Sequence, residues 1–154
     1  GTITVANASS INDGAAALTV ISNEKADELG IQPICRILTH SSVAHEPLYF
    51  TTAPGIAITK VLTKAGLVIE DIDLFEINEA FSNVVLDTMK EHSIPHEKVN
   101  IYGGAVSLGH PIGASGARIL VTLISALRKN KKKIGLATLC IGGGEAIAVI
   151  IEII

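Results

Sequence analysis

Residues 100–118 read Asn-Ile-Tyr-Gly-Gly-Ala-Val-Ser-Leu-Gly-His-Pro-Ile-Gly-Ala-Ser-Gly-Ala-Arg. The pattern predicts a β-branched strand over Ile101–Leu108, a histidine held between Gly109 and Pro111, and a helix start at Gly-Ala-Ser-Gly. Glycine before His110 and proline after it put the imidazole on stiff backbone with little side-chain bulk around it. Thirty residues on, Cys140 heads Cys-Ile-Gly-Gly-Gly; thirty-two residues back, Asn78 opens Asn-Glu-Ala-Phe. Asn, His and Cys, each at the end of an apolar run, point to one composite acyl-transfer site.

On both sides of that stretch, strand and helix patterns alternate. Strands are expected as an edge fragment over 2–5, then from Ile34, over Ile72–Ile77, over Ile134–Cys140 and over Ala146–Ile154. Helices are expected over Glu24–Leu29 with Gly30 as stop, over Pro54–Ala65 with Gly66 as stop, over Glu79–His92 and over Ala114–Leu127. Asn7–Gly14 is turn chemistry feeding a helix start, and Ala15–Ser22 is small and apolar, compatible with strand or helix. Alternation with short joins predicts an α/β fold, a mixed sheet covered by helices on at least one face. The helix beginning near Glu79 or near Ala114 should be unusually apolar.

Composition narrows the class. At 154 residues the chain is long enough for one domain with a real core. Hydrophobic residues are 48% and aromatics only 3%, without Trp, so the core must be built from Val, Ile, Leu and Ala. A net charge of −3 gives a nucleic-acid partner no electrostatic support. Two cysteines make no disulfide framework, and a reducing compartment is the default. Apolar runs such as Ala146–Ile151 fall far short of the ~20 residues that span a bilayer, so no membrane role is expected. No signal peptide is visible, but the chain opens mid-pattern on Gly1-Thr-Ile-Thr-Val without a methionine and looks truncated. Arg128–Lys133 is a basic run that reads as a solvated turn after a helix, ahead of a patch for an anionic ligand.

Each candidate group has a bland and a functional reading. His110 is a structural turn histidine, or a general base or oxyanion donor that titrates near neutrality. Cys140 is a small buried hydrophobe, or a nucleophile or base whose ionisation is eased by the unshielded amides of Gly142–Gly144 and by a nearby imidazole. Asn78 is a helix N-cap, or an amide that holds a water or an oxyanion. Glu76 and Glu79 form a carboxylate dyad or, favoured by strand alternation, a solvated helix start. Cys35 reads as core. His40 and His45 show no metal-ligand spacing with cysteines or carboxylates, so no metal site is expected.

Four segments, GTITVANASSINDG (1–14), NEAF (78–81), NIYGGAVSLGHPIGASGAR (100–118) and GLATLCIGGGEAIA (135–148), closely resemble the carboxy-terminal part of the thiolases, especially the acetyl-CoA C-acetyltransferases (acetoacetyl-CoA thiolases). The resemblance spans essentially the whole chain. It implies the carboxy-terminal half of the two-domain thiolase fold, with residues 1–30 as the tail of an amino-terminal domain and 31–154 as the carboxy-terminal domain. It implies an acyltransferase that condenses two acetyl-CoA to acetoacetyl-CoA, or cleaves 3-oxoacyl-CoA with CoA.

By resemblance, His110 activates a nucleophilic cysteine and points into an oxyanion hole. Asn78 holds the water that completes that hole. Cys140 takes and returns the α-proton, the Gly142 amide serves the second oxyanion hole, and Ser9 contacts the pantetheine of CoA. Phe50 falls in the segment that shapes the acyl pocket. The nucleophile itself has no counterpart here, since Cys35 matches no such position, so this chain alone is expected to be inactive. Glu145 stands where many relatives carry an apolar or small residue. The coenzyme A thioester is substrate, and no cofactor is implied. A homo-oligomeric parent in the cytoplasm or the mitochondrial matrix is expected. Two alternatives are a non-catalytic module that binds CoA or pairs with a partner chain, and a longer-chain 3-ketoacyl-CoA thiolase.

Overall fold

A computed structural model describes residues 1–154. Residues 1–22 form an arm without helix or ladder strand. The expected edge strand at 2–5 is instead a turn, because the Asn7 side chain accepts from the Thr4 amide at 2.6 Å and donates to the Thr2 carbonyl at 2.9 Å. Ala15–Ser22 is neither strand nor helix. Helix α1, Asn23–Leu29, starts on a Ser22 cap and stops at Gly30, which takes the left-handed conformation.

Strand β1 runs Cys35–Ala44, and a 3-10 turn over Pro47–Thr52 leads into α2, Ala53–Ala65. Strand β2, Leu74–Ile77, is followed by α3, Ser82–His92, and the short α4, Ala105–Leu108. Then come α5, Ser115–Lys129, β3, Ile134–Ile141, and β4, Glu145–Ile153. The sheet order is β1-β4-β3-β2, with β2 and β3 parallel and the other pairs antiparallel. This is the mixed α/β sheet that the sequence predicts.

Side-chain alternation divides the core into two layers. One face carries Phe75, Ile77, Leu136, Ala146, Ala148 and Ile150, packed on Ala57, Ile58 and Val61 of α2. The other carries Leu74, Ala137 and Ile151, packed on Ile119, Leu123 and Leu127 of α5. The helix with the most buried positions is α2, seven of its thirteen residues, rather than a helix beginning near Glu79 or Ala114. Pro54 and Gly55 sit in its first turn among those buried positions, and a Cβ on Gly55 would overlap the Glu91 side chain of α3. Cys35 is half-buried at the start of the edge strand β1, not in the core.

Two further expectations are corrected. The predicted strand over Ile101–Leu108 is a turn followed by α4. Asn100 and Gly103 both adopt positive φ, and the Gly103 amide closes a turn onto the Asn100 carbonyl at 2.8 Å. Two left-handed positions so close together cannot sit in a ladder, and they override the β-branched pattern. Helix α3 begins at Ser82 rather than Glu79, because residues 78–81 pair with the amino-terminal arm through an Ala8–Phe81 bridge. Of the basic run, Arg128 and Lys129 end α5 and the rest is a turn, where Lys133 meets Glu152 at 2.9 Å and Lys132 meets Asp73 at 3.9 Å.

Candidate active site

The carboxyl ends of the parallel strands β2 and β3 lie side by side, and both lead into segments carrying polar groups. Asn78 directly follows β2, and its amide donates to the Thr138 carbonyl of β3 at 3.0 Å. Thr138 is two residues before Cys140, which is buried near the end of the same strand. Asn78 is therefore an extension of the sheet rather than a helix cap; Phe81 holds the N-cap position of α3.

The Asn78 side-chain Nδ2 lies 3.3 Å from His110 Nε2. On the opposite side of the ring, Nδ1 lies 2.6 Å from Ser115 Oγ, and the Ser115 hydroxyl donates to the Pro111 carbonyl at 3.0 Å. Because that hydroxyl proton is committed to Pro111, Nδ1 carries the ring proton and Nε2 presents its lone pair to Asn78. Burial, helped by the Arg118 guanidinium, lowers the His110 pKa, so the imidazole is neutral at pH 7. Asn78 is 1% exposed, and its Oδ1 is buried with no protein partner. That leaves a strong acceptor free beside the imidazole.

Local chain geometry fixes the imidazole. Gly109 takes a φ of +92°, and a Cβ there would overlap the Asn12 side chain, so only glycine lets the arm approach. The His110 amide donates to the Ser10 carbonyl at 3.0 Å, within a parallel bridge between Ile11 and His110. Ser9 is half-buried; its amide and hydroxyl both donate to the Ala80 carbonyl, at 3.1 and 2.9 Å. The arm thus binds the Asn78–Phe81 and Gly109–Pro111 segments together.

Cys140 departs from the sequence reading. Burial raises the thiol pKa, against a smaller opposing effect of its own backbone amide, so the thiol does not ionise more readily than a free one. A raised pKa suits a group that must accept and keep a proton. The glycine turn after β3 is tight: the Gly144 amide donates to the Ile141 carbonyl at 3.1 Å, and the Gly144 carbonyl accepts from the His45 amide at 2.9 Å. Gly142 is exposed at the tip, with open space where a Cβ would stand. Glu145 follows this turn, with one carboxylate oxygen buried and unpartnered. Phe50 packs edge-on against Phe81, ring centroids 6.2 Å apart, which places it next to the Asn78–Phe81 segment.

Neither acidic residue near Asn78 is solvated. Glu79 clasps the turn after β2 and the loop before His110: its carboxylate accepts from Asn100 Nδ2 and from the Val106 amide, each at 3.0 Å. Glu76 is 2% exposed on the α5 face of β2, with Arg118 at 3.7 Å. Burial pushes its pKa up to about 7, opposed by Arg118 and assisted by Glu79. Ser115, Arg118 and Asn100 escaped the sequence reading. The pattern that contained them, five and eight residues after His110 for the first two, was readable only as a helix start and its first turns.

The family description "Thiolase, C-terminal domain" matches residues 31–153. The chain belongs to the thiolase family. Acetyl-CoA acetyltransferase 2 of Arabidopsis thaliana is 51% identical over 154 residues, covering 100% of this chain and 38% of that protein. An acetyl-CoA acetyltransferase crystal structure from Bacillus anthracis superposes with a TM-score of 0.97 at 46% identity, covering 100% of this chain and 39% of that one. A thiolase from Ascaris suum in complex with coenzyme A superposes at 0.91, also at 46% identity, with coverage of 100% and 40%. The thiolase chain thus spans about two fifths of the length of the relatives it matches. None of its helices is long and apolar enough to cross a membrane.

Proposed function

We propose that this chain supplies the acid–base and oxyanion groups of an acetyl-CoA acetyltransferase whose acyl-accepting thiol lies outside residues 1–154. In the first step that thiol attacks the carbonyl of acetyl-CoA, and His110 Nε2 takes its proton. The new Nε2–H then donates to the negative thioester oxygen, with a water on Asn78 Oδ1 as second donor. The departing CoA thiolate takes the Cys140 proton. In the second step the Cys140 thiolate removes the α-proton of another acetyl-CoA, while the Gly142 amide holds the enolate oxygen. The enolate carbon attacks the acyl-enzyme carbonyl, the enzyme thiolate leaves and takes back the Nε2 proton of His110, and acetoacetyl-CoA is released. Thiolysis is the same sequence reversed. Ser9 and Phe50 border the site and are assigned to the CoA arm and the acyl end.

The observation that supports this reading best is the Asn78–His110–Ser115 chain of contacts, together with Cys140 near the end of the strand β3 that pairs with β2. The test is thiolysis of acetoacetyl-CoA by CoA in the full-length protein carrying this chain. His110→Ala and Cys140→Ala should each lower kcat by at least ~10²-fold, and residues 1–154 alone should not turn over. Full activity in either variant overturns the reading. Binding of CoA without acyl transfer would favour a non-catalytic module, and a maximum on longer substrates would favour a 3-ketoacyl-CoA thiolase.

A further inference from the structure

Beside the contact between Asn78 and His110 lies a second polar link, between β2 and α5, and the chemistry proposed above leaves it unused. Glu76 lies on β2 two residues before Asn78, and its side chain faces α5. Arg118 follows Ser115 by three residues, so both lie on the same side of α5. The pairs stack as rungs: Asn78, His110 and Ser115 form the outer rung, and Glu76 with Arg118 the inner one. Leu74 against α5 closes the layer below.

The inner rung is chemically unusual. Glu76 is buried, and its one charged partner is 3.7 Å away, too far for a hydrogen bond. Both terminal nitrogens of Arg118 are buried and have no acceptor. A cation whose terminal donors are buried and unpaired is costly where only packing is needed. Resting on the acyl-transfer reading above, we propose that Arg118 is a positioning residue of that site. It braces α5 against β2 through Glu76 and keeps a fixed positive charge behind the His110 imidazole.

The electrostatics agree in direction. Arg118 acts with burial to lower the His110 pKa, favouring the neutral ring that can take a proton. The other titratable groups on the neighbouring segments are Glu76 on β2, Glu79 in the loop that follows, and Cys140 on β3. The arm contributes the neutral Asn12 against Gly109 and the exposed Asp13.

The experiment uses the full-length protein and follows kcat/KM for acetoacetyl-CoA thiolysis against pH. Arg118→Met removes the charge while keeping an unbranched stem, and should move the acid limb to higher pH. Arg118→Lys keeps the cation without any bidentate contact to lose, and should restore the native profile. Should Arg118→Met fold poorly, Glu76→Gln/Arg118→Met removes the stranded carboxylate and should show the same upward shift. An unmoved acid limb in either Met variant overturns the inference, whatever happens to stability. Loss of the acyl-transfer reading itself looks different: the unmodified protein would be inactive, or His110→Ala would remain active.

Discussion

Asn78 and His110 are 32 residues apart in sequence and 3.3 Å apart in space, and the contact joins the residue after the strand β2 to the loop that leads into α5. A buried amide beside a neutral imidazole whose other nitrogen is tied to Ser115 specifies one tautomer. Four consequences can be measured.

Ser115→Ala removes the acceptor of the Nδ1 proton and leaves a half-buried donor unpaired, at a cost of about 1–3 kcal/mol. If that cost falls on the reactive tautomer, kcat of the full-length protein drops roughly 10- to 100-fold. Ser115→Thr keeps a hydroxyl and should retain most activity. Nitrogen chemical shifts of the His110 ring report the tautomer directly.

Stability should fall as pH rises through neutrality because of Glu76. Its folded pKa is about 7 against an ordinary 4.5, so the folded state holds a proton that the unfolded state has lost. The protonated-state advantage is complete below pH 4.5 and disappears as pH rises to about 7, a change of order 3 kcal/mol at most. Urea titrations at pH 5 and 8 should show this slope, and Glu76→Gln should flatten it.

Leu123→Ala opens a cavity in the α5 layer, where Leu123 is 0% exposed. The expected loss is about 2–5 kcal/mol, read from the denaturation midpoint. A substitution at the exposed Val121 on the same helix should cost under about 0.5 kcal/mol.

The three-glycine turn is not uniform. Gly144 has φ +95°, and a Cβ there would overlap the His45 carbonyl, so Gly144→Ala should cost more than about 1–3 kcal/mol. Gly142 faces open space, and Gly142→Ala should leave the melting temperature nearly unchanged. Differential scanning calorimetry separates the two, and a large shift for Gly142→Ala would contradict the packing described.

Much of this was legible in the chain. The runs Ile134–Cys140 and Ala146–Ile154 announce two buried strands, since strands covered on both faces are continuously apolar. Gly30 and Gly66 announce helix stops. His110 and Cys140 stand out because glycines isolate them. What stayed hidden depends on long-range partners. Residues 101–108 look like a strand until Glu79 and Asn100 are seen holding the loop. Glu76 looks solvated by alternation, yet the layer it faces is α5, whose position no local pattern encodes. The Cys140 thiol looks activated by neighbouring amides, but burial outweighs them.

The arm has an implication for how the reactive ring is held. Ser9 fastens to Ala80 and Ser10 to His110, while residues 15–20 between those ties and α1 lack helix, strand and internal backbone bonds. The covalent tether keeps a short polar splint at high effective concentration against two loops that would otherwise drift apart. Nicking the backbone within 15–20 would cut that tether, and the two loops would then be held to the arm by the Ser9–Ala80 and Ser10–His110 bonds alone.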